Sequence, residues 1–367
     1  MVKYIYQYSK WPEFVWDDNR VNITLGKVRL LQGKILGKME SVGFSIREET
    51  LLSSLTDDVV KSSEIEGEIL NYKEVRSSIA GKLGIESSDS VSTNKSIEGV
   101  VEMMLDATQK YYNKLTDDRL FGWHALLFPT GWSGMYKIET GQYRSGEMEI
   151  VSGPVGKEKV HFRAPSPNVI KKEMDVFLQW YNQKQDIDGV IKAAIAHFWF
   201  IIIHPFDDGN GRIARALTDM LLAKSEETSQ RYYSLSNQIL KEKKRYYAVL
   251  QEVQHSTEDI TEWLDWFLNC LLRSLQNTEE ILKKVLIKAD FWDQHKETIF
   301  NARQRLMLNK LLDGFEGKLR TSKWAKITKS SSDTALRDIK DLVKKGVLKQ
   351  DEAGGRSTSY ELIINKT

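Results

Sequence analysis

His204-Pro-Phe206-Asp-Asp208-Gly209-Asn210-Gly211-Arg212-Ile-Ala-Arg215 follows an apolar run, Val190 to Ile203, and opens a second in which Ala216, Leu217, Met220, Leu221 and Leu222 are apolar. This spacing predicts two apolar helices joined by a polar, glycine-rich turn. A Gly-Asn-Gly turn at a helix start presents unpaired backbone N–H groups and the positive end of the helix dipole, a ready anion site. Arg212 and Arg215, three residues apart, lie near one face of the first turn and can reach different phosphates of one ligand. Asp208, just before the turn, is placed to meet a divalent cation held by those phosphates. His204, with an ordinary pKa of roughly 6.5, can accept a proton from a hydroxyl at neutral pH.

Other readings of this run are weaker. Gly209-x-Gly211-x-x-Ala214 matches a degenerate dinucleotide fingerprint, but another helix follows in place of a βαβ unit. No Gly-Lys-Ser/Thr phosphate loop exists in the chain. His197 and His204 are seven apart without the third histidine or cysteine of a zinc site, and His197 beside Phe198 and Trp199 reads as a core residue. A purely structural loop would have little reason to gather two Arg, an Asp and a His around two glycines.

Helical spacing dominates the rest of the body, as at Val28, Leu31, Ile35 and Met39, or at Trp263, Trp266, Phe267 and Cys270 through Leu275. The pattern breaks twice. Ser88 to Asn94 reads as a Ser/Thr-rich linker. From Gly146 to Pro165, Met148 to Val151 and Val160 to Arg163 read as strands around Ser152-Gly-Pro-Val-Gly156, a β-hairpin that must lie on the helices and whose edge can accept another chain.

The run from His204 to Arg215 resembles the signature His-x-Phe-x-Asp/Glu-Gly-Asn-Gly-Arg-x-x-Arg of the Fic (fido) family, with every fixed position matched. The likeness extends to Gly141-Gln-Tyr143-Arg144, to Phe162-Arg-Ala164-Pro165 and to Tyr246-Tyr247, roughly from Leu115 to Leu268. Family members are mainly helical enzymes that move AMP from ATP onto hydroxyl side chains of proteins. The related Doc kinases carry Lys where this chain has Gly211, which favours AMP transfer. The resemblance implies ATP as substrate and Mg2+ as cofactor, with His204 as general base and Asp208 holding the metal between the α- and β-phosphates. It implies a cradle of the Gly209, Asn210 and Gly211 backbone N–H groups with the Asn210 side chain, Arg212 on the β-phosphate and Arg215 on the γ-phosphate. Phe206, being apolar, reads as the loop's core anchor. The hairpin is similar to the family's flap, whose edge pairs with the target segment. Tyr247, and less closely Gln254, resembles the adenine or ribose side of the pocket, with ordinary helix packing as the other reading of both.

Upstream, Leu52, Leu55, Val59, Ser62 and Glu66 recur every three or four residues, so one helix face starts apolar and ends in a hydroxyl and a carboxylate. From periodicity alone Glu66 is either a solvated helix-end residue or a carboxylate in need of a cation. Ser62-Ser-Glu-Ile-Glu66-Gly67 resembles the inhibitory motif Ser/Thr-x-x-x-Glu-Gly/Asn of Fic proteins that carry it N-terminal to the core. That likeness implies that Glu66 pairs with Arg215 and takes the place of the γ-phosphate, with Ser62 bracing the docked helix. The aromatic opening from Tyr4 to Trp16 is similar to an N-terminal extension of this branch and reads as packing.

The 367 residues carry a net charge of +2 with 41% hydrophobic and 28% charged residues, which excludes a wholly basic nucleic-acid coat and extended disorder. Asn301 to Thr367 holds 15 Lys/Arg against 8 Asp/Glu, a charge of +7 that leaves −5 on the first 300 residues. Within it, Asn301 to Leu312, Thr321 to Lys326 and Thr334 to Lys345 read as helices, the last with Leu336, Ile339, Leu342 and Val343 inward. Val347 to Lys349, a Gly354-Gly355-Arg356 tip and Ser357 to Leu362 follow, and the whole resembles a winged helix, a module that contacts DNA or protein. Val190 to Ile203 is too short to cross a bilayer, the N-terminus lacks the apolar core of a signal peptide, and the single Cys270 makes no internal disulfide. A cytoplasmic location is the expectation. The fold expected is mainly α, with an N-terminal helical extension at 1–90, a Fic-type core with its flap at 91–285, and a winged-helix-like basic module at 286–367. Two functions stay open: a protein adenylyltransferase self-inhibited by Glu66, acting on a Ser, Thr or Tyr hydroxyl of a target protein or of itself, and a DNA-binding regulator with the core as nucleotide sensor. A homodimer also stays open.

Overall fold

The computed structural model describes residues 3–85, 94–152, 159–351 and 358–364. The linker expected at 88–94 lies outside them except for Asn94, as do the hairpin turn at 153–156 and the Gly354-Gly355-Arg356 tip. The chain forms two compact units, Met1–Thr278 and Glu279–Thr367. Among the described residues, fourteen α-helices and three two-stranded antiparallel hairpins make a mainly α protein, as the periodicity predicts. No helix among them is long and apolar enough to cross a membrane.

In chain order the helices are α1 (Asp18–Ser41), α2 (Phe44–Ile65), α3 (Tyr72–Leu83), α4 (Lys95–Gln109) and α5 (Asp117–Leu127). The hairpins β1 (Trp132–Ser133) with β2 (Tyr136–Lys137) and β3 (Glu149–Ser152) with β4 (Lys159–Arg163) come next. Then follow α6 (Pro167–Asn182), α7 (Gly189–Ile203), α8 (Asn210–Glu226), α9 (Leu235–Lys241), α10 (Lys243–Val253) and α11 (Thr261–Gln294).

The helix α7 is the centre of the first unit because its sequence is apolar all round, and such a helix must be covered on every side. All of it except Gly189 and Ile201 is buried, and each large apolar side chain so placed contributes roughly 1.5–3 kcal/mol. Its polar exceptions are satisfied. Lys192 Nζ donates to the carbonyls of Tyr181 and Gln183 at 2.7 and 2.6 Å, closing the end of α6. His197 bridges three helices. Thr218 Oγ1 donates to the Ala214 carbonyl at 2.8 Å, so it accepts from His197 Nδ1 at 2.9 Å, and Nε2 accepts from the Tyr246 hydroxyl at 2.9 Å. Both ring nitrogens being used, His197 is a core residue.

The helix α2 lies against α8 and α9. Leu52, Leu55 and Val59 are buried as the stripe predicts, and acidic side chains fasten the next face: Asp58 accepts from Ser234 Oγ at 2.6 Å and from the Ser236 N–H, while Asp57 accepts from Asn237 at 3.1 Å. In the N-terminal segment Tyr4 stacks on Tyr6 and His255 and meets Phe162 edge-on, which is packing, as its aromatic composition predicts.

In the second unit α12 (Ala302–Leu312), α13 (Thr321–Thr328) and α14 (Ser332–Lys344) precede the hairpin β5 (Leu348–Gln350) and β6 (Tyr360–Leu362). Met307, Leu308, Trp324, Ile339, Leu342 and Val347 form its core. Val343, expected inward, is 37% exposed: the buried stripe of α14 runs through Ala335, Ile339 and Leu342, and Val343 falls at its edge.

Candidate active site

The end of α7 builds the first functional group. His204 caps the helix in the left-handed region (φ 50°, ψ 60°), with its N–H on the Phe200 carbonyl at 3.0 Å, and Pro205 prevents continuation. A non-glycine residue there is held by its surroundings. Arg144 supplies that hold: its Nε donates to the His204 carbonyl at 2.8 Å, its Nη1 to the Gly146 carbonyl and its Nη2 to the Pro165 carbonyl, both at 2.6 Å. The imidazole Nδ1 lies 3.3 Å from the Ile201 carbonyl. A carbonyl only accepts, so Nδ1 carries the proton and Nε2 keeps a lone pair. Burial lowers the His204 pKa to about 4, so the ring is neutral at physiological pH.

Phe206 is fully buried and stacks on His124 with ring centroids 4.3 Å apart, the anchor its apolar character predicts. Asn210 fastens the turn to it, accepting from the Phe206 N–H at 3.0 Å and donating to its carbonyl at 2.7 Å. The Asn210 side chain is thus committed to the loop itself, a departure from the phosphate contact that the resemblance implies. The Gly209 N–H is likewise turned onto Asp208 Oδ1 at 2.6 Å. The N–H groups that open α8, with no acceptor within the helix, are those of Asn210, Gly211 and Arg212. Asp208 Oδ2 accepts from the Ser133 hydroxyl, while Asp207 Oδ2 accepts from the Glu139 N–H at 2.8 Å and so secures the segment after β2.

A cavity of about 610 Å³ opens over these groups, lined by His204, Asp208, Gly211 and Glu66 on one side and by Tyr247, Leu250, Gln254 and hairpin residues Ile150 and Phe162 on the other. Tyr247 is 42% exposed there, whereas Tyr246 beside it is buried in the core. Gln254 donates to the His161 carbonyl of β4 at 2.8 Å and the Tyr6 hydroxyl to that of Arg163 at 2.8 Å, so α10 and the N-terminal segment brace the hairpin. Asp208 could hold Mg2+, because one or two carboxylates completed by phosphate oxygens and water are how this ion is commonly held; Asp207 and Glu66 line the same cavity. Among the described residues no cluster of three His, Cys, Asp or Glu offers an all-protein cage.

Glu66 and Arg215 meet. The end of α2 docks on α8 with Arg215 Nη2 2.6 Å from Glu66 Oε1, Arg215 Nε 2.8 Å from Ser62 Oγ, and Nη2 2.9 Å from the Ser62 carbonyl. Burial disfavours the guanidinium charge, but Glu66 more than restores it and the Arg215 pKa stands above its ordinary value. Gly67 makes this possible. At φ +88° it adopts the left-handed turn that L side chains resist, and the N–H groups of Gly67 and Glu68 close on the carbonyls of Glu64 and Ser63 at 3.1 and 3.0 Å. Arg212 has a partner as well, Glu68, with Nη1 to Oε2 at 2.7 Å, and its guanidinium lies 5.0 Å above the Phe128 ring. Glu68, Ser133 and Arg144 are the site residues that spacing did not assign.

Residues 114–222 match the Fic/DOC family model, and residues 4–85 match a domain of unknown function (DUF4172). A probable protein adenylyltransferase of Aquifex aeolicus is 28% identical over 138 residues, 38% of either chain. A protein adenylyltransferase Fic of Nematostella vectensis is 24% identical over 272 residues, 68% of this chain and 57% of that one. The chain thus spans well under two thirds of each relative's length. A solved Fic family protein from Desulfovibrio desulfuricans shares the fold with a TM-score of 0.55 at 19% identity, over 97% of this chain and 99% of that one. The signature at the start of α8 thus sits within the segment that matches the Fic/DOC family model, residues 114–222.

Proposed function

We propose that this chain is a protein adenylyltransferase that moves AMP from ATP to a hydroxyl side chain of a target protein and is self-inhibited through Glu66. The observation that carries this reading is the cavity in which an unprotonated His204 Nε2 stands beside the open N-terminus of α8, with Asp208 at its edge. In the reaction the hydroxyl oxygen bonds to the α-phosphorus, its proton passes to His204 Nε2, and the bond to pyrophosphate breaks. Charge grows on the equatorial and leaving oxygens, where the N–H groups of α8 and the two arginines are preorganised to take it. Asp208 would hold Mg2+, which supplies charge neutralisation at the phosphates when bound. Tyr247 offers a ring beside the nucleotide's base. Intact-mass spectrometry after incubation with ATP and Mg2+ tests the reading, because AMP and phosphate add different masses. Asp208→Ala is expected to abolish Mg2+-dependent addition, and normal addition by that variant would show that another carboxylate holds the metal.

A DNA contact by the second unit is the alternative reading, supported by Arg337, Lys340 and Lys344 along one exposed face of α14. Binding of a DNA duplex that weakens steeply with salt is the expected result. Salt-independent or absent binding would remove it.

A further inference from the structure

The turn that ends α2 delivers two carboxylates to α8. The helix stops at Glu66, Gly67 takes the left-handed conformation, and Glu68 then faces the same first turn of α8 as Glu66 does. Glu66 meets Arg215, whose side chain is 2% exposed, and Glu68 meets Arg212, whose side chain is 7% exposed, at 2.6 and 2.7 Å. Glu66 also lies over the helix start: a Cβ on Gly211 would come within 2.1 Å of its Oε1. Each carboxylate is itself partly solvated, at 30% and 41% side-chain exposure, so each pays little to be there and satisfies a buried cation that would otherwise be unpaired.

We propose that Glu68 is a second nucleotide-discriminating residue, and that the 66–68 turn sorts nucleotides by their number of phosphates. The assignment of Arg212 to a β-phosphate and Arg215 to a γ-phosphate rests on the adenylyltransferase reading; what is added is that each phosphate has its own competitor. A carboxylate on a guanidinium occupies the donors that a phosphate needs, and it repels a phosphate that approaches the same cation. A nucleoside monophosphate therefore meets neither competitor. A diphosphate is opposed by Glu68, and a triphosphate by Glu68 and Glu66 together. Substitution of Glu66 alone leaves the β-position guarded, and substitution of Glu68 alone leaves the γ-position guarded.

Calorimetric titration of the full chain with AMP and with ADP, at fixed Mg2+, tests this without transfer chemistry. Glu68→Gln, which keeps the side chain's shape and removes its charge, is expected to tighten ADP about five- to tenfold and to leave AMP unchanged. Glu68→Ala is expected to give the same order. Arg212→Gln is expected to weaken ADP and spare AMP. If Arg212→Gln weakens ADP while neither Glu68 variant tightens it, the proposal is overturned and the phosphate role of Arg212 stands. Equal gains for AMP and ADP would mean that the turn was merely loosened, and would overturn it as well. If Arg212→Gln leaves ADP untouched, Arg212 is no phosphate ligand, and the nucleotide reading of this arginine falls together with the proposal.

Discussion

The His204→Ala variant is expected to bind ATP as the parent does and to transfer AMP about 10²–10⁴-fold more slowly, the usual contribution of a positioned general base. Binding is spared because the groups suited to the phosphates, the N–H groups of α8 with Arg212 and Arg215, lie elsewhere in the turn. Calorimetry of ATP beside a labelled-AMP assay separates the two effects, and near-normal transfer by the variant would remove His204 from the chemistry. The acid limb of the rate profile gives an independent check. Burial lowers the pKa of His204 to about 4, so the base is already unprotonated above that value. The rate is expected to hold its level down to about pH 5, where a histidine at its ordinary value would have lost most of its activity. A fall centred near pH 6.5 would show that the ring is solvated during turnover.

Glu66→Gly is expected to raise labelled-AMP transfer, self-modification included, at least about tenfold, which corresponds to about 1.4 kcal/mol. Its carboxylate occupies Arg215 Nη2 at 2.6 Å and opposes by its charge a γ-phosphate that approaches the same guanidinium. Arg215→Ala is expected to weaken productive ATP binding and to make the Glu66 substitution irrelevant, because the contact that Glu66 blocks is then gone. The pair is therefore strongly non-additive in a double-mutant cycle. Additive effects would show that the contact between the two side chains has no bearing on turnover, and the self-inhibition reading would be withdrawn.

What could be read in advance follows from periodicity and from chemistry packed into a short run. The all-apolar α7, the stripe Leu52, Leu55, Val59 and Ser62, and the order of groups from His204 to Arg215 are linear patterns, and the fold keeps them. Glu68 escapes because it lies past the end of α2, where a left-handed glycine redirects the chain and helical spacing no longer says which way a side chain faces. Ser133 and Asp208 are 75 residues apart and meet only through the β1–β2 hairpin, a pairing that no spacing rule encodes. The resemblance points the Asn210 side chain toward a ligand. The loop needed it more: the backbone of Phe206, in a buried turn, has no strand or helix partner and takes the amide instead.

The attachment of α2 along its length also determines how release can happen. Asp57 and Asp58 are held by the start of α9, Leu52, Leu55, Val59 and Ile65 are sealed in the core, and at Glu66 the contacts become partly solvated. Swinging the whole helix away would expose that apolar face and strand two acidic groups. Unwinding the terminal turn around Gly67 breaks three backbone hydrogen bonds, from the N–H groups of Glu66, Gly67 and Glu68, and two ion pairs. Fraying of this kind belongs to the inexpensive end of the spectrum of local openings. The catch and the hinge are thus one element, the 66–68 turn, and the motion has a distinct signature: amides near Glu66 and Gly67 should exchange with solvent long before those of the α2 midsection, at conditions where the melting temperature of the domain has not moved.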